Sequence, residues 1–138
     1  MTIKPINSDE IQLRVRYAET DQMGMVYYGN YAQYFEVGRV EWLRKFGVSY
    51  KSMEEDGILL PVVSLNIQYK KSARFDDVIT IKTHLVKMPS ATIEFDYVIT
   101  NQSGDVLTLG NTVLVFIDVS KNRPTRCPKH ILDKLQNN

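Results

Sequence analysis

Apolar and polar residues alternate over residues 11–17. Ile11, Leu13, Val15 and Tyr17 fall on one side and Gln12, Arg14 and Arg16 on the other, the pattern of a half-buried strand. From Asn30 to Phe46 the period lengthens. Tyr31, Tyr34, Phe35, Trp42 and Phe46 recur at three- and four-residue steps, with Gly38 on the same stripe, while Gln33, Glu36, Glu41, Arg44 and Lys45 fill the remaining surface. This predicts an amphipathic helix about 25 Å long at 1.5 Å per residue, closed by Gly47 just past its end. Gly38 costs about 1 kcal/mol of helix propensity in mid-helix, so close approach of another backbone to that face is expected.

After a polar stretch at residues 49–57, long enough for one or two helical turns, the period returns to two. Val63, Leu65, Ile67 and Tyr69 alternate with Ser64, Asn66, Gln68 and Lys70. Ile79, Ile81, Thr83 and Leu85 mark the next strand, and Ile93, Phe95, Tyr97 and Ile99 the one after. Residues 106–119 carry apolar residues at both parities, as in a strand covered on both faces. The connections Arg74–Asp77, Met88–Ala91 and Asn101–Asp105 are short and turn-like, which predicts neighbouring antiparallel strands on either side of each. Pro128–Gln136 suits a small terminal helix. One long helix and one sheet bury their apolar faces only against each other. The expectation is an α+β protein, a five-stranded antiparallel sheet curled around one central helix, with residues 1–138 forming a single domain.

Composition narrows the function. The hydrophobic share is 43%, the charged share 24% and the formal net charge +1, with basic residues scattered among acidic ones. No concentrated basic face for nucleic acid follows from this. The one cysteine, Cys127, excludes an intramolecular disulfide and suits a reducing compartment. The longest apolar runs, such as Ile58–Val63, fall far short of the ~20 residues that cross a bilayer. The N-terminus, MTIKPINSDE, lacks the apolar core of a signal peptide. A cytoplasmic protein without membrane insertion is expected. Two isolated histidines, His84 and His130, make no metal ligand set, and neither has a Ser or Cys partner suggested by spacing. Cys127 reads as inert, and no cofactor is called for.

The chemistry concentrates in Thr20–Asn30, TDQMGMVYYGN. An acidic residue, two glycines and apolar side chains stand directly before a helix N-terminus, where unpaired N–H groups and the helix dipole favour negative charge. An oxygen that becomes anionic during acyl transfer can be stabilised there without a basic side chain. A carboxylate one short loop away can attack the carbonyl or orient a water. On local chemistry alone, Asp21 reads equally as a turn residue that satisfies nearby N–H groups. Glu36 is the rival carboxylate, although its spacing from Arg39 suits a surface or interface ion pair. The tyrosines Tyr27, Tyr28, Tyr31 and Tyr34 serve either an acyl pocket or the core.

The stretch ETDQMGMVYYGNYAQYFEVGRVEWLRKFG resembles the signature of the 4-hydroxybenzoyl-CoA thioesterase family of hotdog proteins, most closely its Tol–Pal-associated acyl-CoA thioesterase branch. Asp21, Gly24, Val26, Tyr27 and Tyr31, followed by Glu36, Arg39, Glu41, Leu43 and Arg44, carry the likeness. ARFDD (Ala73–Asp77) and RPTRCPKHI (Arg123–Ile131) extend it over nearly the whole chain. The resemblance implies a hotdog fold, paired with a second subunit into one continuous sheet, as a homodimer or a homotetramer built as a dimer of dimers. It implies hydrolysis of acyl-CoA to free acid and CoA, with Asp21 as the catalytic carboxylate and the Tyr28 backbone N–H polarising the thioester carbonyl.

Tyr27 and Gly29 flank that N–H as substrate-contact candidates. The basic residues that hold CoA phosphates in one relative fall near Pro89–Ala91, which has no positive charge here. Lys70, Lys71, Arg74 and Lys87 are the phosphate candidates by charge alone. Two alternatives stand beside this reading: an acyl group carried on acyl carrier protein, and a non-catalytic acyl-CoA binding protein on the same fold. Hotdog dehydratases use a histidine that this chain lacks near its central helix.

Overall fold

The computed structural model describes residues 7–136. The reading of the N-terminus as lacking a signal peptide falls partly on residues 1–6, outside that range. The elements follow the expected order: strand β1 (Asn7–Arg14), helix α1 (Tyr31–Lys45), a short α2 (Tyr50–Glu55), then β2 (Ile58–Leu59) and β3 (Val62–Tyr69). Next come β4 (Val78–Leu85), β5 (Thr92–Thr100), β6 (Val106–Val115), β7 (Ile117–Asp118), β8 (Arg123–Pro124) and helix α3 (Lys129–Gln136). Five antiparallel strands form one sheet in the order β1-β4-β5-β6-β3, and β2, β7 and β8 form a small second sheet. The large sheet is laid around α1, as the hotdog resemblance implies.

The central strands alternate as their sequence does. Ile79, Ile81 and Leu85 of β4, Ile93, Phe95, Tyr97 and Ile99 of β5, and Leu107 and Leu114 of β6 are buried. Against them α1 lays Phe35, stacked on Tyr97 at 4.4 Å between ring centroids, and Trp42, edge-on to Phe95 at 5.1 Å. Gly38 is required by this packing, but the approach comes from side chains, not the backbone that was expected. A Cβ there would lie 2.5 Å from Thr83 Oγ1 and 2.9 Å from Ile81 Cγ2 of β4. Gly110 of β6 faces the Phe35 ring, and a side chain there would overlap it.

Four further expectations need correction. Strand β1 ends at Arg14, and Tyr17, expected on its buried side, is 76% exposed in a 3-10 turn, Tyr17–Glu19. The Arg16 N–H donates to Glu19 Oε1 at 2.8 Å, which bends the chain out of the ladder. The last strand is not continuous over residues 106–119. It breaks at buried Phe116, and the following residues pair with β2 and β8. Strands β3 and β4 are not neighbours either: β3 pairs with β6 at the far edge. Crossing three strand spacings needs about 14 Å, which an extended segment of seven or eight residues spans easily at about 3.3 Å each. The connection over residues 70–77 therefore crosses the end of the sheet. The fourth concerns Arg39, which is only 7% exposed and forms no ion pair with Glu36 within 4 Å; its Nε donates to the Tyr50 hydroxyl at 3.4 Å.

The outer face of the sheet is polar. Register places Ser8, His84, Asp96, Asn111 and Asn66 in one row across all five strands. His84 thereby gains a partner that sequence spacing hid, Ser8 Oγ at 2.7 Å from Nδ1. Burial lowers its pKa, against the opposing pull of Asp96. Cys127 is buried, which pushes its thiol up to about 12 and leaves it un-ionised at neutral pH.

Candidate active site

The crossover between β3 and β4 is what holds the Asp21 loop. After the 3-10 turn the chain forms a small hairpin over residues 20–26, closed by the Thr20–Val26 bridge and by Asp21 N–H donating to the Met25 carbonyl at 2.7 Å. Gly24 sits at φ +76°, the left-handed conformation that glycine adopts without a Cβ penalty. One side of this hairpin lies on the crossover. Val26 N–H donates to the Ala73 carbonyl at 2.9 Å, Phe75 N–H to the Gly24 carbonyl at 3.2 Å, and Met25 bridges Arg74. The Tyr31 hydroxyl accepts the Ala73 N–H at 3.1 Å, tying the crossover to the start of α1.

Within the loop, Asp21 is exposed, and its Oδ1 accepts the N–H of Met23 at 2.8 Å and of Met25 at 3.3 Å. This is the local turn role anticipated for an aspartate. It uses one oxygen, while Oδ2 has no protein partner among the described residues. The turn role and a chemical role are therefore compatible.

A 3-10 turn, Tyr28–Asn30, runs directly into α1. Tyr27 N–H donates to the Glu19 carbonyl and Asn30 N–H to the Tyr27 carbonyl, both at 2.9 Å. Between them, the N–H groups of Tyr28 and Gly29 find no acceptor among the described residues, as expected at the first positions of a helix. Gly29 has a packing reason: a Cβ there would lie 2.7 Å from the Tyr27 ring. Tyr28 is 64% exposed, its ring rests 4.6 Å from that of Tyr27, and its carbonyl accepts the Tyr69 hydroxyl at 3.1 Å.

A cleft of about 280 Å³ opens beside this turn, lined by Val26, Tyr28, Tyr31, Tyr69, Lys70, Lys71 and Ser72. The structure thus brings Lys70 and Lys71 to Tyr28. Lys71 is already engaged by Asp105 at 2.8 Å, an interaction that lowers the Asp105 pKa. Lys70 makes no ion pair among the described residues. Arg74 stands beside the hairpin, against Met25. Lys87 is not brought to the cleft within one chain. It follows the far end of β4, whose near end, Val78, adjoins the crossover, and nine residues of extended chain cover about 30 Å.

Glu36 lies elsewhere, on a cavity of about 460 Å³ with Arg39, Val40, Tyr50, Glu54, Leu60 and Val62. A third cavity, about 290 Å³, lies on the outer sheet face among Asn66, Gln68, Asp96 and Asn111 and presents no helix N-terminus. Sequence reading missed Glu19, which is 9% exposed and accepts from Arg16, Tyr34, Tyr27 and Asn30. The available signal was its three-residue spacing from Arg16 immediately before the loop.

With this geometry the chain belongs to the thioesterase-like superfamily, which it matches over residues 15–135. It is 34% identical to the putative acyl-CoA thioesterase YneP of Bacillus subtilis, over 88% of each chain. It is 29% identical to the acyl-CoA thioester hydrolase YbgC of Escherichia coli, covering 87% of this chain and 90% of that one. Among solved structures it is similar to a DHNA-CoA thioesterase from Staphylococcus aureus, 36% identical, with a TM-score of 0.86 over 94% of this chain and 91% of that one.

Proposed function

We propose that the protein hydrolyses acyl-CoA thioesters to free acid and CoA, with Asp21 as nucleophile or general base and the Tyr28 N–H as carbonyl-polarising donor. The observation that supports this reading most is the joining of two features in one turn system. Among the described residues, a carboxylate oxygen without a protein partner sits on a hairpin tied through Glu19 to the helix start, where two N–H groups lack acceptors. In the nucleophilic route, Asp21 attacks the thioester carbon, the C–S bond breaks, and the CoA thiolate departs and takes a proton from solvent. Water then cleaves the resulting anhydride, restoring Asp21. In the general-base route, Asp21 takes a proton from water as the C–O bond forms, and that proton passes to the departing thiolate. In both, the carbonyl oxygen gains negative charge beside the Tyr28 N–H. The cleft at Tyr28 and Tyr69 suits the pantetheine arm, with Lys70, and Lys71 and Arg74 nearby, available to phosphate.

The resemblance of the signature around Asp21 supports, as part of the same proposal, membership of the Tol–Pal-associated branch. A cytoplasmic setting follows from a CoA substrate and a lone, buried cysteine. No helix among the described residues is long and apolar enough to cross a membrane. A panel of short, medium, long and aromatic acyl-CoAs, run beside an acyl carrier protein thioester and assayed for free thiol, tests the proposal. Turnover of at least one acyl-CoA is expected. Turnover of the carrier-protein thioester alone would move the activity to that carrier. Tight binding without thiol release would make the protein a binding module.

The site is proposed to work in a homodimer. Among the described residues, strand β3 pairs only with β6 and its other edge is unpaired, with Val63, Leu65 and Tyr69 46–60% exposed. An open, apolar edge is a template for another strand. A two-fold axis would join β3 to its copy antiparallel, extending the sheet across both subunits. Light scattering is expected to give at least twice the chain mass of 15.9 kDa, and four times that mass if two dimers associate. A stable monomer at micromolar concentration would overturn the dimer.

A further inference from the structure

We propose that Glu19 is the positioning residue of the site, holding the Asp21 hairpin against the helix start that carries the Tyr28 N–H. The inference rests on the reading of Asp21 and Tyr28 given above.

Glu19 is 9% exposed, and each of its acceptors is used. Oε1 accepts the Arg16 N–H at 2.8 Å and the Tyr34 hydroxyl at 3.1 Å, while Oε2 accepts Arg16 Nε at 3.3 Å and Nη2 at 3.2 Å. Its main-chain carbonyl accepts twice more, from Tyr27 N–H at 2.9 Å and Asn30 Nδ2 at 2.8 Å. One residue therefore grips the exit from β1, the first turn of α1, and both residues that frame Tyr28 and Gly29. Asp21 follows two positions later on the same hairpin.

Burial raises the Tyr34 pKa and the Glu19 charge raises it further, so the hydroxyl keeps its proton and donates throughout the neutral range. Stability alone does not account for this cluster. The Arg16 side chain of the ion pair is 77% exposed, a setting in which an ion pair contributes little stability, and the adjacent core is already aromatic. The cluster supplies direction: charge-assisted bonds to a carboxylate fix angles as well as distances. Reacting groups must be held to within a fraction of an ångström, because a displacement of about 1 Å can cost about 10² in rate.

The test uses the full-length protein with Glu19→Gln, Tyr34→Phe and the double variant, after circular dichroism and light scattering show native fold and size. Each single variant is expected to lower kcat about ten- to a hundredfold, leave KM within about twofold, and keep the acid limb of the pH profile. The double variant should be no worse than the poorer single, because the two side chains act as one unit. Amide exchange at Tyr27 should quicken in both. Wild-type kcat in folded variants would overturn the role. So would loss of the acid limb in Glu19→Gln, which would make Glu19 itself the proton-transfer group. If the wild type hydrolyses no thioester, the reading of the site fails. The exchange measurement still decides the positioning role, which unchanged protection at Tyr27 would overturn.

Discussion

Replacing Asp21 with asparagine is expected to lower kcat by at least about 10², the low end for losing a positioned acid–base group, with KM little changed. The change is conservative here. The amide oxygen of asparagine can still accept from Met23 and Met25 N–H, and asparagine suits such turns as well as aspartate does. What disappears is the charge, and with it the nucleophile or base. Glu36→Gln, on its separate cavity beside Arg39 and Tyr50, should fall less than about tenfold, below the range for losing a general acid–base group. Steady-state kinetics on the best acyl-CoA of the panel decides the matter. Near-wild-type turnover in folded Asp21→Asn, or a dead Glu36→Gln, would remove Asp21 from the mechanism.

Tyr28→Pro should lower kcat by about 10²–10³, the usual scale for one oxyanion donor, while Tyr28→Phe keeps most activity. Proline is an informative probe at this position. Tyr28 is the first residue of its 3-10 turn, where proline is favoured and the N–H has no intrahelical partner. Tyr27 before it already adopts φ −60° and ψ 132°, the extended conformation that proline requires of its predecessor. The carbonyl that accepts the Tyr69 hydroxyl remains in both variants. The two substitutions therefore differ chiefly in one N–H group. Equal damage from phenylalanine, in protein of native fold and oligomeric size, would transfer the role to the side-chain hydroxyl.

Much of the fold was legible because burial writes its period into the chain. The three- and four-residue steps from Tyr31 to Trp42 predict α1, and the alternation from Ile79 to Leu85 and from Ile93 to Ile99 predicts strands buried on one face. The hairpins joining β4 to β5 and β5 to β6 follow from the shortness of their connections. Alternation names the face a residue occupies and says nothing of which strand lies beside it. The same pattern in Val63–Tyr69 was therefore compatible with a place next to β4, whereas the strand lies at the opposite edge. There Val63, Leu65 and Tyr69 stay exposed in the single chain, while Ile67 is partly buried against the core.

The candidate site divides along the same line. Asp21, the glycines and the coming helix are local, so the sequence by itself determined that a carboxylate precedes a helix N-terminus by one short loop. The tertiary structure decided what that loop rests on. The crossover at Ala73–Phe75 bonds it, Tyr69 reaches the Tyr28 carbonyl from β3, and Glu19 is buried against Tyr34 of α1. It also decided that Lys70 and Lys71 share the cleft while Lys87 stands at the other end of β4. Those outcomes depend on strand order and on which edge the crossover spans. Both are set by the packing of α1 across the whole sheet, through close approaches such as Gly38 to Thr83 and Gly110 to Phe35. No residue's nearest neighbours in sequence record such contacts, because they form only when segments far apart in the chain are brought to one place.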